Sequence, residues 1–198
     1  MSLVEQPRET RRSRTHAATR AAILNAARRV AARDGARDLS LRAVAAEAGY
    51  APAALYGYFA NKDELLLALA AEDLSGLTRA MRDEMQIHGG GKLTAAAAVA
   101  LDLLENTETF AAVSSAFPAN AGSSDTERLF NGRMIAALTA LSEAVGGGRS
   151  REAQADVVLI AAALAGLALL GRSGRLEALG FGSAELLARL DRHFATQD

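Results

Sequence analysis

A chain of 198 residues, half of them apolar, can bury a core of its own without covalent staples. Having no cysteine, it cannot form disulfides, thiolate metal sites or a cysteine nucleophile, a composition that suits a reducing cytoplasm. The net charge of −1 conceals a polarity: residues 1–62 sum to +6 and residues 63–198 to −7, as expected when one part of a molecule meets a polyanion and the rest does not.

The first twenty residues are rich in arginine and lack the apolar stretch of a secretory signal, so residues 1–18 read as a disordered basic arm. Alanine and leucine dominate thereafter, with three prolines in the whole chain and no sustained alternation at period two, which predicts an all-α fold. Ile23, Ala26, Ala27, Val30 and Ala31 form one apolar stripe at helical spacing, with Arg20, Arg28, Arg29 and Arg33 mostly outside it; Gly35 ends this first helix. A second helix starts after Ser40, a good N-cap, and stops at Gly49. Pro52 suits the first position of a third, very short helix ending near Phe59. Asn61 caps a fourth, with Glu64 in the reciprocal capping position and Leu66, Leu69, Leu77 and Met81 on a buried face. It runs to about Ile87, where three glycines at 89–91 stop it.

Five further helices are expected, over about 93–105, 110–117, 126–145, 151–170 and 183–194, with a break at 118–124. The fifteen charge-free residues 157–171 fall short of the roughly 18 to 20 that a bilayer span needs, so they read as a helix buried on nearly all sides, with no membrane partner.

Two short helices joined through a glycine turn give helix-turn-helix geometry, in which the second helix enters the DNA major groove and the first crosses the backbone. Leu39, Val44, Leu55 and Phe59 supply a miniature core, and small Ala45 and Ala48 let the helices cross closely. That leaves Tyr56, Tyr58 and Lys62 pointing outward beside Arg42, where hydroxyls, guanidinium and ammonium suit phosphates and base edges.

At these residues the sequence resembles the TetR family of bacterial transcriptional regulators. The resemblance covers about residues 19–69 and rests on LRAVA at 41–45, AG at 48–49, LYGYF at 55–59 and NKDELL at 61–66, all in order. It implies an N-terminal DNA-binding domain of three helices over 19–62 and a ligand-binding and dimerisation domain over 63–198. By position, the family's contacts with double-stranded operator DNA fall on Ser40, Arg42, Pro52, Ala53, Tyr56, Tyr58 and Lys62. The resemblance further implies a cytoplasmic homodimer, a repressor released from an inverted-repeat operator when a small molecule changes the tilt of the fourth helix. The family pairs its last two helices across the dimer, which here places Leu159, Ala163, Gly166, Leu170, Leu186, Leu190 and Phe194 at the interface.

Two departures matter. Ala51 and Ala54 stand where the family usually has serine and a hydroxyl residue, removing a helix cap and a phosphate contact. With Pro52, Ala53, Ala54 and Gly57 offering no side-chain hydrogen bonds, direct readout would lean on Arg42 toward a guanine and on alanine against thymine methyls. Arg8, Arg11, Arg12 and Arg14 add phosphate affinity unless the arm is simply solvated.

Catalysis finds little support. His16, His88 and His193 are scattered, and Glu84 with His88 at i, i+4 is a commoner surface pair than a metal site. The GGGK at 89–92 lacks the Ser/Thr and the preceding strand of a phosphate loop. No cofactor, metal or catalytic residue is therefore assigned; an all-helical enzyme, or a small-molecule binder with a degenerate DNA-binding head, is the alternative. Met81, Met85, Leu104, Phe110, Phe117, Met134 and Leu138 are candidates to line a pocket for an apolar effector, although such residues are more often plain core.

Overall fold

The computed structural model describes residues 5–87, 91–107 and 124–194, with side chains from residue 11 onward. Its described residues are helical with no strand: α1 (Glu5–Asp34), α2 (Leu41–Ala48), α3 (Pro52–Leu55), α4 (Lys62–Ile87), α5 (Lys92–Asn106), α6 (Asp125–Ala144), α7 (Arg151–Arg172), α8 (Arg175–Ala178) and α9 (Ser183–Phe194). The helix expected at 110–117, the break at 118–123, His88, Gly89, Gly90 and the pocket candidates Phe110 and Phe117 lie outside the described residues.

Two buried clusters organise the chain. The first joins the stripe of α1 to Leu39, Val44, Leu55 and Phe59 and continues along the start of α4 through Ala70. The second packs the rest of α4, from Leu74 to Met85, against α5, α6, α7 and Leu187 of α9. α4 therefore belongs to both, and α6 packs along it more extensively than any other helix pair. Phe130, on α6, packs against both clusters.

Several expectations are corrected. The segment read as a disordered arm is helical from Glu5, because it contains no glycine and its proline, Pro7, sits in the first turn, where no backbone N–H is needed. α3 ends at Leu55 rather than near Phe59; three turn residues follow, and the N–H groups of Tyr58 and Phe59 both bond the Leu55 carbonyl at 2.9 Å. A short α8 separates α7 from α9.

The largest correction concerns α7. It is not buried on nearly all sides: Val157, Ile160, Leu164 and Ala168 face the bundle, while Val158, Leu159 and Leu169 are 58, 56 and 64% exposed. At 22 residues it is long and apolar enough to cross a membrane by length and composition. Its charge-free part, between Asp156 and Arg172, spans about 22 Å at 1.5 Å per residue, against a hydrocarbon core of about 30 Å.

Candidate nucleic-acid interface and effector cavity

The N-terminal helices are set by local chemistry. Ser40 caps α2 by accepting the Ala43 N–H at 3.2 Å. Gly49 ends it with φ 73° and ψ 28°, a left-handed turn open to glycine, after which the Tyr50 N–H reaches the Ala45 carbonyl at 2.9 Å. Ala51 makes no side-chain cap, as its methyl dictates, and Pro52 opens α3 with a preset φ. Leu55 and Phe59, 0 and 1% exposed, pin the second helix of the pair to the core.

Ser40, Arg42, Pro52, Ala53 and Tyr56 are exposed on this head, Tyr56 by 61%. Tyr58 and Lys62 differ from expectation: both are half-buried. The Tyr58 ring stacks on His16 with centroids 4.5 Å apart and planes 25° apart, and Lys62 Nζ donates to the Arg37 carbonyl. One ring face of Tyr58 is thus covered by α1, and the Lys62 ammonium secures the turn before α2.

Much of the basic charge on α1 is matched internally. Arg28 bonds Asp73 of α4 through Nε and Nη2 at 3.1 and 3.0 Å. Glu47 accepts from Arg29 at 2.6 Å and from Arg33 at 3.2 Å; those two hydrogen bonds, Arg29's first, hold its carboxyl below the usual carboxylate range. Arg33 also bonds Asp34 at 3.0 Å. Its pKa is raised, by Asp34 first and then by Glu47. These contacts brace the head and leave Arg42, on the exposed side of α2, to face outward.

The junction between head and bundle is polar and specific. Asn61 Oδ1 accepts the Glu64 N–H at 2.8 Å, and Glu64 Oε2 reaches back to the Ala60 N–H at 2.7 Å, one residue earlier than the expected box. The other oxygen, Oε1, accepts the hydroxyl of Thr126, from the first turn of α6, at 3.1 Å. Ser124 and Glu127 form a full capping box at that end of α6.

Further along α6, Met134, Ala137, Leu138 and Leu141 line a half-open cavity of about 60 Å³, together with Leu74, Leu77 and Met81 of α4, Ala100 and Leu104 of α5, and Ala161, Leu164 and Ala165 of α7. Every lining side chain is apolar. Four pocket candidates, Met81, Leu104, Met134 and Leu138, are brought together here; Met85 is buried but lies off the cavity. Thr126, Phe130, Met134, Leu138 and Leu141 fall on one face of α6, so a single helix face runs from the head to the cavity.

Of the residues assigned to pairing, Leu159 and Gly166 are exposed, whereas Ala163, Leu170, Leu186, Leu190 and Phe194 are half-buried. Leu190 and Phe194 also pack on the bundle core. The exposed positions of α7 at 155, 158, 159, 162, 166 and 169 make a continuous stripe at helical spacing.

The sequence reading missed the His16–Tyr58 stack, the Arg28–Asp73 bridge and the Glu64–Thr126 bond. A signal for the first existed: positions 16, 20, 23, 27 and 30 extend the buried stripe of α1 backwards by two turns, and Arg20 sits over the Phe59 ring at 5.3 Å.

Comparison with known proteins bears on this head. Residues 23–69 match the family model of bacterial regulatory proteins, tetR family. Over 59 residues the chain is 48% identical to the HTH-type nicotine-responsive transcriptional repressor HdnoR of Paenarthrobacter nicotinovorans, a match covering 30% of each chain. A TetR-family transcriptional regulator from Streptomyces coelicolor superposes with a TM-score of 0.65 at 19% identity, over 91% of this chain and 99% of that one. The transcriptional regulator FadR of Bacillus subtilis, solved with stearoyl-CoA, superposes at 0.62 and 17% identity over 88 and 97% of the two chains. These structural likenesses extend the common fold over the C-terminal bundle. Residues 23–69 thus form a helix-turn-helix head similar to that of the tetR family of bacterial regulatory proteins.

Proposed function

We propose that the protein is a ligand-responsive transcriptional repressor that binds operator DNA as a homodimer and releases it when a small apolar molecule occupies the bundle. The observation that carries this reading is the pair of helices shared by two sites: α4 and α6 both line the cavity, and both end at the head, joined there by Glu64 and Thr126. Ser40, Arg42, Pro52, Ala53 and Tyr56 form the DNA-facing surface; Tyr58 and Lys62 hold its shape and contribute through whatever remains exposed. A head dominated by alanine and proline has few hydrogen bonds to offer bases, so specificity rests on Arg42, on methyl contacts and on DNA shape.

Cavity chemistry narrows the effector. With no polar lining side chain, an ion would enter unpaired, so the ligand presents an uncharged apolar group to this space. HdnoR's responsiveness to nicotine is not carried over, since the likeness to that repressor covers 59 residues. The exposed apolar stripe of α7 supports pairing with a second copy, closing the bundle into a four-helix seam with α9.

Ligand titration with and without the operator tests the reading. The operator is first recovered by selection from genomic fragments, which should yield an inverted repeat. If ligand weakens DNA binding about a hundredfold, linkage requires operator to weaken ligand binding by the same factor, about 2.7 kcal/mol. Equal ligand affinities in the two titrations reduce the protein to a constitutive DNA binder; turnover of the ligand would favour the enzyme alternative.

A further inference from the structure

We infer that the N-terminal part of α1 is a second DNA-contacting element, a rigid basic helix that projects past the reading head and grips the phosphate backbone flanking the bases it reads. The inference rests on the DNA-binding reading above and concerns residues outside the matched 23–69 segment.

Its direction is fixed by three contacts. Arg28 of α1 meets Asp73 on α4; two turns earlier Arg20 lies over Phe59; one turn earlier again His16 stacks on Tyr58. Moving toward the start of α1 therefore means moving back along α4 and into the LYGYF segment, toward the exposed tip that carries Tyr56. The helix does not stop at His16 but continues to Glu5. At 1.5 Å per residue, Arg14, Arg12 and Arg11 lie about 3, 6 and 8 Å farther along the same axis, beyond Tyr58.

Charge supplies the partner. No acidic residue occurs between Thr10 and Arg33, a run with seven arginines. Arg28, Arg29 and Arg33 are matched by Asp73, Glu47 and Asp34, whereas among the described residues no carboxylate pairs with Arg11, Arg12 or Arg14. All three are exposed. Unmatched guanidiniums on a helix that leads out of a DNA-facing tip fit a polyanion, and duplex phosphate is the one within reach. His16 is a positioning residue here: its stack ties the extension to the head, so the arginines arrive already ordered.

The test compares the full-length protein with Arg11→Ala/Arg12→Ala/Arg14→Ala on the selected operator and on a scrambled duplex. The intact protein should show a log K against log salt slope about 2.7 units steeper, near 0.9 per phosphate, so its affinity falls about 40-fold more between 50 and 200 mM salt. Both duplexes should lose affinity alike, leaving operator preference unchanged, and a hydroxyl-radical footprint should shrink at its flanks. The triple Arg→Lys variant should keep the slope. His16→Ala should lower it and His16→Tyr restore it, a rescue that a purely structural histidine would not give. An alanine variant with the same slope and footprint as the intact protein overturns the inference while leaving operator binding intact; failure of the intact protein to bind any duplex overturns both.

Discussion

The head and the bundle bury their apolar residues to different degrees, although one helix serves both. In the head Ile23, Val30, Val44 and Leu55 are fully buried and Phe59 is 1% exposed, so its core closes within a single protomer. In the bundle α7 keeps Val158, Leu159 and Leu169 more than half exposed, and the core beneath holds a cavity. The head is a closed part, as the proposed reading of a DNA groove requires. The bundle leaves apolar surface open on one face and an apolar space within, which on the proposed reading serve a second copy and a ligand.

The closed packing of the head is most vulnerable at Phe59. Phe59→Ala should cost about 3 to 5 kcal/mol, because the ring is buried and its loss leaves a cavity that α1 and α3 cannot collapse into. Chemical denaturation should show an early transition for the head, and operator binding should go with it. A loss under 1 kcal/mol would mean the head is far more plastic than its packing implies.

Next in size is the exposed stripe. Leu159→Glu with Leu169→Glu places two charges where apolar surface would meet its copy, at several kcal/mol if buried there, yet costs the lone protomer almost nothing. Sedimentation should report the protomer mass while the head's melting stays put. A persistent dimer would place the seam elsewhere.

The head's legibility and the bundle's opacity have the same physical root. Caps, glycine turns and stripe spacing are local, so Ser40, Gly49, Pro52 and the core residues Leu39, Val44, Leu55 and Phe59 could all be read in order. What could not be read are side chains whose partners lie far along the chain: Tyr58 under His16, Lys62 on the Arg37 carbonyl, Glu64 under Thr126. The fifteen charge-free residues of α7 looked like a core because composition reports how apolar a helix is, not how many neighbours its own chain supplies. Residue type and helix face alone group Met85 with the cavity, but one more turn along α4 carries it past the space that Leu74, Leu77 and Met81 line.

A smaller effect probes the link between the two regions. Thr126→Val removes the hydroxyl that Glu64 accepts while keeping the shape, at about 1 kcal/mol. Stability should fall by that little, but the ratio of ligand affinities with and without operator should move toward one, because α6 no longer reports to the first turn of α4. Thr126→Ser, which restores the hydroxyl, should recover the ratio. If Thr126→Val leaves the ratio intact, coupling runs through α4 packing alone.

The smallest expected effect is the one pH brings to the head alone. Glu47 sits below its ordinary value because Arg29 and then Arg33 hydrogen-bond its ionised form. A carboxylate depressed in the folded state stabilises fully above its unfolded pKa, near 4.5, and loses that contribution as pH falls through its lower folded value. The wild-type head should therefore lose stability on acidification below about pH 4.5 more steeply than Glu47→Gln, and the two should run parallel from pH 6 to 8. The bundle's transition should be indifferent to this substitution, since Glu47 meets only α1 arginines. Because both arginines are exposed and Glu47 is only part-buried, salt should shrink the difference. Acid melts that coincide for the two proteins at low ionic strength would show that the pair adds nothing to the head beyond what packing already supplies.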